Sequence, residues 1–409
     1  MRKIMAALDI GNYSTKLVVA EMTKNKFNIL SVSETRTLGI KKNQIISESD
    51  LQEPILTVIK DSESKLNMKI SKLLVVVPSY DLEFTVGEAK INIETKNIKG
   101  SDVSKCILES YKGIIPDNME LINAIPMNFK IDNNEVLSDP KGYVSQTLSV
   151  KTLIMMAPKN SVYKILSIID KLNIDIVDIS IDAIGDYFTF KNDKINKSVS
   201  AIVNIGENKT TISIFNKGII TNLANIELGS KNIDNDIAYI YKIDLESAKK
   251  LKEEFACAYP KYASSNDEII IRNKDNQDIK VNAKEISKIA YSRIKEILDK
   301  VKKDINYLTK KEISNIIFTG GVSEMRDFKL VLDSQIEKNA VLGKIDTLGV
   351  RNNKFSSVIG LIKWYNNTQL LKDKDYSIFS IEEQEEFSRL AQDSDNSMLS
   401  KFFSYFLDN

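Results

Sequence analysis

Two segments of the chain, one near the N-terminus and one near the middle, each join an apolar run to a turn that could hold a phosphate. In the first, residues 4–8 lead into Asp9, Gly11, Asn12, Tyr13, Ser14 and Lys16. In the second, residues 201–203 lead into Asn204, Gly206 and Lys209. Glycine in such a turn lets backbone N–H groups approach an anion without a Cβ in the way. Two hairpins of this kind, facing each other, could grip a polyphosphate from both sides.

A third segment would complete such a site. The apolar run over residues 316–318 ends at Thr319 and is followed by Gly320 and Gly321. A diglycine loop would let a nucleoside lie against bare backbone. Either hairpin alone is more simply explained as ordinary turn chemistry, since Asp, Asn and Gly favour turns. The order of all three segments together favours a nucleotide site.

Composition excludes several classes of function. The chain has 409 residues, enough for two or more domains, and its formal net charge of +1 gives no general attraction to nucleic acid. Histidine is absent, which excludes a Ser-His-Asp triad and a zinc site with histidine ligands. The two cysteines, Cys106 and Cys257, are far apart and predict free thiols in a reducing compartment.

Hydrophobic patterning predicts an α/β protein of two domains. Strands are expected at residues 3–8, 15–22, 27–33 and 73–77. A helix is expected over 49–67, between the last two of these strands. The pattern then changes to short extended pieces and one helix, typical of an inserted α+β module. The predicted divisions are a first domain over residues 1–79, an insertion over 80–158, a return segment over 159–196 and a second domain over 197–371, with a subdomain at about 230–310.

Helical periodicity is clearest in two places outside the insertion. Asn160 is expected to cap a helix with Val162, Ile165 and Ile169 on its apolar face. The longest helix is expected over residues 283–309. Gly360 lies in another apolar element, where it would either permit a close helix crossing or simply be tolerated in a helix.

The C-terminal part of the chain has a different character. Residues 372–396 are polar and include an acidic run at 382–386, which predicts a flexible linker. Residues 397–409 have helical amphipathic spacing, and this favours a helix lying in a membrane surface over one packed on the protein's own core or in a partner's groove. The apolar face comprises Met398, Leu399, Phe402, Phe403, Phe406 and Leu407.

The two hairpins and the diglycine loop resemble the phosphate and adenosine loops of the actin/Hsp70/sugar-kinase superfamily. With the insertion after residues 75–77 and the amphipathic C-terminus, the whole chain resembles the FtsA family of actin-like bacterial cell-division proteins. This resemblance implies an actin-like two-domain fold with RNase H-like cores and an inserted α+β subdomain. It also implies ATP and Mg²⁺ as cofactors and self-association into a polymer through the insertion.

The resemblance further implies partners and a location. Proteins of this family hold the C-terminal tail of FtsZ and tether FtsZ filaments to the cytoplasmic face of the membrane, at the midcell division ring. The expected partners are therefore FtsZ, further copies of this chain, the lipid surface and other division proteins, and no nucleic acid. Arg293 stands where the family presents a basic residue to the FtsZ tail.

Carried onto this chain, the family pattern assigns roles to single residues. Asp9 would hold the water shell of magnesium, and Lys16 would add a charged donor to phosphate. Backbone amides would come from the first turn and from Gly206 opposite. Gly320 and Gly321 would border the adenosine, and Lys252 belongs to the helix beside it. The complete expected nucleotide set is Asp9, Gly11, Asn12, Tyr13, Ser14, Lys16, Asn204, Gly206, Lys209, Gly229, Lys252, Gly320 and Gly321.

The chain departs from that pattern at the second hairpin. Asn204 stands where an aspartate is usual, and Glu207 and Asn208 replace glycines. Asparagine keeps an acceptor but loses the charge that organises metal-bound water. The sequence therefore predicts an ATP-binding scaffold with at most very slow hydrolysis. A sugar kinase would need a catalytic aspartate that no motif locates. The other reading left open is a PilM-like scaffold of type IV pilus assembly.

Overall fold

The computed structural model describes residues 3–23, 26–41, 44–95, 97–132, 134–136, 138–336, 339–374 and 376–380. In chain order the strands are β1 (Lys3–Ile10), β2 (Ser14–Met22), β3 (Phe27–Arg36), β4 (Ile40–Lys41), β5 (Gln44–Ile45), β6 (Lys72–Val77), β7 (Glu83–Asn92), β8 (Met119–Ile131), β9 (Asn134–Val136), β10 (Thr147–Pro158), β11 (Asp175–Ile181), β12 (Val199–Ile205), β13 (Thr210–Asn216), β14 (Ile219–Ile226), β15 (Glu268–Arg272), β16 (Asp278–Asn282), β17 (Asn315–Thr319) and β18 (Ala340–Leu342). The helices are α1 (Glu48–Leu66), α2 (Gly100–Tyr111), α3 (Lys159–Asp170), α4 (Asp182–Phe190), α5 (Asp193–Asn196), α6 (Ser230–Tyr241), α7 (Leu245–Phe255), α8 (Ala283–Leu308), α9 (Phe328–Gln335) and α10 (Ser356–Leu371).

Each half of the molecule is built on a mixed sheet that begins with a buried hairpin. In the first half the strand order is β11-β6-β1-β2-β3, with β1 antiparallel to β2 and parallel to β6. In the second half it is β14-β13-β12-β17-β18, with β12 antiparallel to β13 and parallel to β17. The hairpin turns and the C-terminal ends of the parallel strands therefore lie at one edge of each sheet. That edge is where ligands bind in open α/β sheets.

Helices α4 and α10 lie between the two sheets. One core cluster joins Ala7 and Val76 of the first sheet and Ile202 and Ile317 of the second to Leu361 of α10. The outer faces of the sheets are covered separately, by α1 and α3 on the first and by α6–α9 on the second. The two halves thus share a hydrophobic layer, and the two helices of that layer connect them.

The crossing of α4 and α10 requires glycine on both helices. A Cβ on Gly360 would lie 1.6 Å from the carbonyl oxygen of Gly185, and a Cβ on Gly185 would lie 2.1 Å from the carbonyl oxygen of Ser357. Contacts this short do not occur between real atoms, so neither position has room for a side chain. Of the two interpretations of Gly360, the structure supports the close crossing.

The inserted module is a four-stranded sheet in the order β7-β10-β8-β9, covered by α2. Its attachment to the rest of the protein includes Lys141, whose Nζ donates to the carbonyl oxygen of Leu370 at 2.6 Å and lies 2.7 Å from Asp373 Oδ1. Asp373 also accepts from the backbone amide of Gly100, the first residue of α2. The end of α10 is therefore pinned to the insertion by a shared carboxylate.

The α/β class is confirmed, and most elements lie within a few residues of their predicted positions. Helix α3 begins at Lys159 with Pro158 as N-cap, so Asn160 is inside the helix and not its cap. Proline suits a helix start because its fixed φ is compatible with the first turn. Ile378 and Phe379 are buried against the first sheet, and the amide of Ile378 donates to the carbonyl oxygen of Ile4. Packing thus continues beyond residue 371, where the linker was expected to begin.

Candidate functional site

The two hairpins and the diglycine loop converge on one cavity of about 680 Å³ between the halves of the molecule. The β1–β2 turn contributes from the first half, and the β12–β13 turn and the loop after β17 contribute from the second. Of the predicted nucleotide residues, these line the cavity: Asp9, Gly11, Asn12, Tyr13, Ser14, Lys16, Asn204, Gly206, Lys209, Lys252, Gly320 and Gly321. Tertiary structure therefore brings together residues from four separate segments of the sequence: the two hairpins, α7 and the diglycine loop.

The first hairpin carries its own ion pair. Lys16 Nζ lies 3.1 Å from Asp9 Oδ2, and these residues face each other across the strand pair β1–β2. Their side chains are only 9% and 16% exposed, so neither charge is well solvated by water. Lys16 Nζ also lies 3.4 Å from the carbonyl oxygen of Ser14. A carboxylate and an ammonium group are thus fixed side by side at the cavity wall.

The second hairpin takes its charged partners from the first half. Asn204 Nδ2 donates to Asp186 Oδ2 on α4 at 2.7 Å. Lys209 Nζ lies 3.4 Å from Asp182 Oδ2, donates to Ser79 Oγ at 3.2 Å, and stands 4.1 Å from the centre of the Tyr80 ring. The side chains of Asn204 and Lys209 therefore find their partners across the gap between the halves.

Asp186 is buried behind Asn204 and accepts three hydrogen bonds. Besides the Asn204 amide, its Oδ1 accepts from Ser356 Oγ at 2.5 Å and Ser357 Oγ at 2.8 Å, at the start of α10. The pKa of Asp186 is raised to about 7, chiefly by burial and also by the charge of Asp182, while the hydrogen bonds from Ser356, Asn204 and Ser357 oppose the rise. Asp186 ties the second hairpin to both crossing helices.

The diglycine loop is shaped by the missing side chains. Gly320 has φ +90°, and a Cβ there would lie 2.4 Å from Asn204 Oδ1 and 2.6 Å from the carbonyl oxygen of Ile205. A Cβ on Gly321 would meet nothing within 4 Å. Gly320 thus allows β12 and the loop to approach closely, while Gly321 leaves open space at the cavity wall.

Helix α7 supplies two lysines with different surroundings. Lys252 is buried and lies 2.6 Å from Asp234 Oδ1, and it donates to Ser230 Oγ at 2.5 Å. Burial raises the pKa of Asp234, whereas the charge of Lys252 lowers it. Lys249 Nζ stands 3.7 Å from the centre of the Tyr13 ring, so it reaches across the cavity to the first hairpin. The contact between Lys249 and Tyr13 was not predicted from the sequence.

Glu207 is among the residues that line the cavity. Burial raises the pKa of Glu207, and the nearby charges of Lys231 and Lys249 lower it. The repulsion of phosphate expected from this carboxylate is therefore opposed by the surrounding lysines.

Two of the glycine amides expected to face phosphate donate within their own hairpins in this structure. The amide of Gly11 donates to the carbonyl oxygen of Ser14 at 3.1 Å, and that of Gly206 to the carbonyl oxygen of Lys209 at 2.9 Å. Each glycine amide closes its own hairpin, because a tight turn places this pair within hydrogen-bond distance. Amides available for phosphate must come from the turn residues between each pair.

Gly229 lies beside the site and is absent from the cavity wall. A Cβ there would lie 2.4 Å from the carbonyl oxygen of Glu207 and 2.5 Å from that of Gly206. The same two carbonyl oxygens accept from the amides of Ser230 and Lys231 at the start of α6. Gly229 thus lets α6 support the second hairpin from behind.

Sequence reasoning missed several charged residues of the cavity, of which Asp182 is the most informative. It follows the buried end of β11, so an acid after an apolar strand was the available signal. Its Oδ1 accepts from the amide of Ala183, and its Oδ2 faces Lys209. The cavity residues that lacked a sequence signal include Lys249, Arg326 and Lys354.

Arg293 lies elsewhere, in a separate hollow of about 350 Å³ between α6 and α8. Its Nε and Nη2 donate to the two carboxylate oxygens of Asp236 at 2.7 and 2.8 Å, and its Nη1 pairs with Glu296. These bonds raise the pKa of Arg293. Tyr239 and Ile240, both exposed, flank the same hollow. The guanidinium is therefore already engaged within the chain.

The predicted membrane-contacting residues, Met398 to Leu407, lie outside the described residues. Among the residues that the structure does describe, none of the helices has the length and hydropathy needed to cross a bilayer.

Comparison with known proteins identifies the family. The family model "Cell division protein FtsA" matches residues 201–360, and the model "SHS2 domain inserted in FTSA" matches residues 81–156. The chain belongs to the FtsA family. It is 26% identical over 369 residues to the cell division protein FtsA of Bacillus subtilis (strain 168), covering 88% of this chain and 83% of that protein. The FtsA of Staphylococcus epidermidis RP62A is 24% identical over 411 residues, covering 98% and 87% respectively.

Solved structures confirm the actin-like fold of this FtsA-family chain. A chain of the PilM–PilN type IV pilus biogenesis complex superposes with a TM-score of 0.58 at 12% identity, covering 89% of this chain and 98% of that one. MreB5 of Spiroplasma citri bound to ADP gives a TM-score of 0.55 at 11% identity, covering 91% and 99%. At these identities the likeness is one of fold alone. The family models, and not the PilM likeness, distinguish between the two readings left open by the sequence.

Proposed function

We propose that this FtsA-family protein binds ATP with magnesium in the cavity between its halves, polymerises, and tethers FtsZ filaments to the cytoplasmic face of the membrane at the midcell division ring. The observation that carries the nucleotide part is the convergence of two hairpins and a diglycine loop on one cavity. Its volume and its mixture of fixed charges and open backbone suit a nucleoside polyphosphate.

The residues of the cavity divide the task of holding Mg-ATP. Asp9 would orient magnesium-bound water, and Lys16 beside it would pair with phosphate oxygens. Lys209 stands on the opposite wall, and Gly321 leaves room for the nucleoside. Magnesium, held through water by Asp9, would supply positive charge that offsets the charge of the phosphates. With asparagine in place of aspartate at position 204, we expect firm binding and very slow phosphate release.

Calorimetry of the full-length protein with Mg-ATP tests this part of the proposal. The sharpest variant pair is Gly320→Ala and Gly113→Ala. Both glycines have positive φ, +90° and +74°, but a Cβ at Gly113 would meet nothing within 4 Å. We expect Gly320→Ala to lose at least tenfold in affinity for Mg-ATP, while Gly113→Ala binds like the native protein. Failure of the native protein to bind Mg-ATP would overturn the assignment of the cavity.

The hollow between α6 and α8 is the proposed site for the FtsZ tail. Exposed Tyr239 and Ile240 offer apolar contact, and Arg293 and Lys288 offer positive charge to an acidic peptide. Because Asp236 occupies two donors of Arg293, a peptide carboxylate must compete with it or use the remaining N–H groups.

That competition makes two variants differ in sign. Arg293→Glu should weaken binding of the FtsZ C-terminal peptide, and Asp236→Ala should strengthen it, because the guanidinium is then available. Fluorescence anisotropy with a labelled peptide measures both. If neither variant changes the affinity, the FtsZ tail does not bind through Arg293.

Residues 397–409 are the proposed membrane anchor. Burying one Leu or Phe side chain is worth roughly 1.5–3 kcal/mol, but much of this is lost to helix formation and partial burial at the lipid headgroups. A single segment should bind weakly, and several on one polymer much more firmly. Phe402→Glu should release the protein from vesicles in co-sedimentation, whereas Ser400→Glu should matter far less. Equal retention of both variants would contradict the proposed anchor.

Polymerisation through the inserted subdomain is the remaining part of the proposal. Its support is an actin-like fold that carries the matched insertion at residues 81–156. Pelleting of full-length protein and of an inserted-subdomain surface variant, with and without Mg-ATP, would test it. Unchanged pelleting after substitution of exposed Leu108 and Val86 by Glu would exclude those faces.

A further inference from the structure

The amide of Asn204 has one orientation that the structure permits. Its Nδ2 lies 2.7 Å from Asp186 Oδ2, and its Oδ1 lies beside Gly320 at the cavity wall. Turning the amide over would place Oδ1 against a carboxylate oxygen, where two acceptors without a proton between them repel. An ionised Asp186 therefore decides which atom of Asn204 faces the cavity.

The same contact places a negative charge directly behind the second hairpin. Asp186 is 1% exposed, and each of its three hydrogen bonds comes from a neutral donor: Asn204, Ser356 and Ser357. Polar groups alone thus compensate its charge at close range. The charged residue nearest to it along α4, Asp182, is also acidic and is paired to Lys209. The negative charge missing at position 204 is thus present on α4, directly behind it.

We propose that Asp186 is a positioning residue of the nucleotide site, which holds the Asn204 amide with its oxygen toward the cavity and supplies from α4 the negative charge that position 204 lacks. This inference rests on the proposed binding of Mg-ATP. It assigns to the two residues jointly what one carboxylate would do at position 204: an oriented acceptor for metal-bound water, backed by negative charge.

The arrangement also connects the site to the joint between the halves. Asp186 lies next to Gly185, where α4 and α10 cross, and its serine partners open α10. A ligand that shifts Asn204 would therefore act on both crossing helices through the Asp186 carboxylate. A purely structural role would also explain these hydrogen bonds, so the test must separate the two.

The deciding measurement is the affinity of full-length protein for ATP by calorimetry at pH 8, with Mg²⁺ and with EDTA. The ionised form of Asp186 predominates in this measurement, since pH 8 lies above its raised pKa of about 7. Asp186→Asn keeps the shape and removes the charge, and it allows the Asn204 amide to adopt either orientation. We expect about tenfold weaker binding with Mg²⁺ and a change of less than about threefold in EDTA.

Two further variants complete the design. Asn204→Asp combined with Asp186→Asn exchanges the two groups and rebuilds the amide–carboxylate pair in reverse, so binding with Mg²⁺ should return to within about threefold of native. Asp178→Asn is the matched control, because Asp178 is a half-buried aspartate on β11 outside the cavity whose carboxylate accepts from the amide of Ile179. It should bind like the native protein.

The outcomes are distinct. Equal losses with Mg²⁺ and with EDTA would show a merely structural role, and no loss in Asp186→Asn would overturn the inference outright. An exchanged variant that binds Mg-ATP no better than Asp186→Asn would also overturn the inference. If Asp186→Asn alone does not fold, failure of the exchanged variant to bind Mg-ATP would overturn it. If the native protein itself fails to bind Mg-ATP, the proposed function fails with it. If the native protein binds and only the variants contradict expectation, the inference alone fails.

Discussion

The two hairpins occupy matching places in their sheets, yet they are held in opposite ways. The first is self-contained: Asp9 and Lys16 face each other across β1 and β2 and form an ion pair within one hairpin. The second depends on the other half of the molecule, through Asn204 to Asp186 and through Lys209 to Asp182 and Tyr80. Backbone symmetry between the halves therefore does not extend to their electrostatics.

We expect this difference to divide two tasks between the hairpins, namely binding phosphate and responding to closure of the two halves. A hairpin with its own carboxylate and ammonium presents the same charges whether the halves are close together or apart. A hairpin whose side-chain partners lie across the gap keeps those contacts only when the halves are close. The first hairpin should therefore dominate binding strength, and the second should report closure of the molecule.

Removing the charge of the first hairpin should have the largest effect. Asp9→Asn gives the first hairpin the same amide that the second has, and it leaves the buried Lys16 ammonium unpaired. We expect the affinity for Mg-ATP to fall about 100-fold, equivalent to roughly 2.7 kcal/mol, in calorimetry of the full-length protein. A loss of less than threefold would show that the two hairpins are equivalent after all.

Removing the lysine of each hairpin should separate binding from closure. Lys209→Met loses the contacts to Asp182 and Tyr80, so we expect the halves to open without nucleotide, with a larger radius of gyration in X-ray scattering. The loss in unfolding free energy should be about 1 kcal/mol. Lys16→Met, the matched variant, should weaken Mg-ATP binding without this expansion. Equal expansion in both variants would contradict the proposed difference.

The contact between Tyr13 and Lys249 should have the smallest effect. In it, Lys249 of α7 stands over the ring of Tyr13 on the first hairpin. Tyr13→Ala removes the ring face, so release of a fluorescent ATP analogue in stopped flow should accelerate about threefold, in line with roughly 0.5–1 kcal/mol for an exposed cation–π pair. Tyr13→Phe keeps the ring face and should release at the native rate. Equal acceleration by both would assign the effect to the hydroxyl group.

Much of the site was predictable because its residues lie at the ends of apolar strands. Asp9, Asn204 and Gly320 each follow a run of buried residues, and sheet geometry brings such positions to one edge. The crossing at Gly360 was only half predicted, because its partner Gly185 has no periodic signal of its own. Cys257, buried with Arg326 donating to its sulfur, shows the same limit, since nothing local to either residue indicates the pair.

By itself the sequence determined the order of the elements, the positions of the turns and the identity of the groups at each turn, because these depend on local periodicity and on glycine. Tertiary structure alone decided the partners of those groups. Asp186 is separated from Ser356 by 170 positions along the chain, and the contact exists because α4 and α10 cross without side chains between them. The role of a carboxylate at this site depends on the groups that tertiary packing places beside it, and local sequence does not specify those contacts.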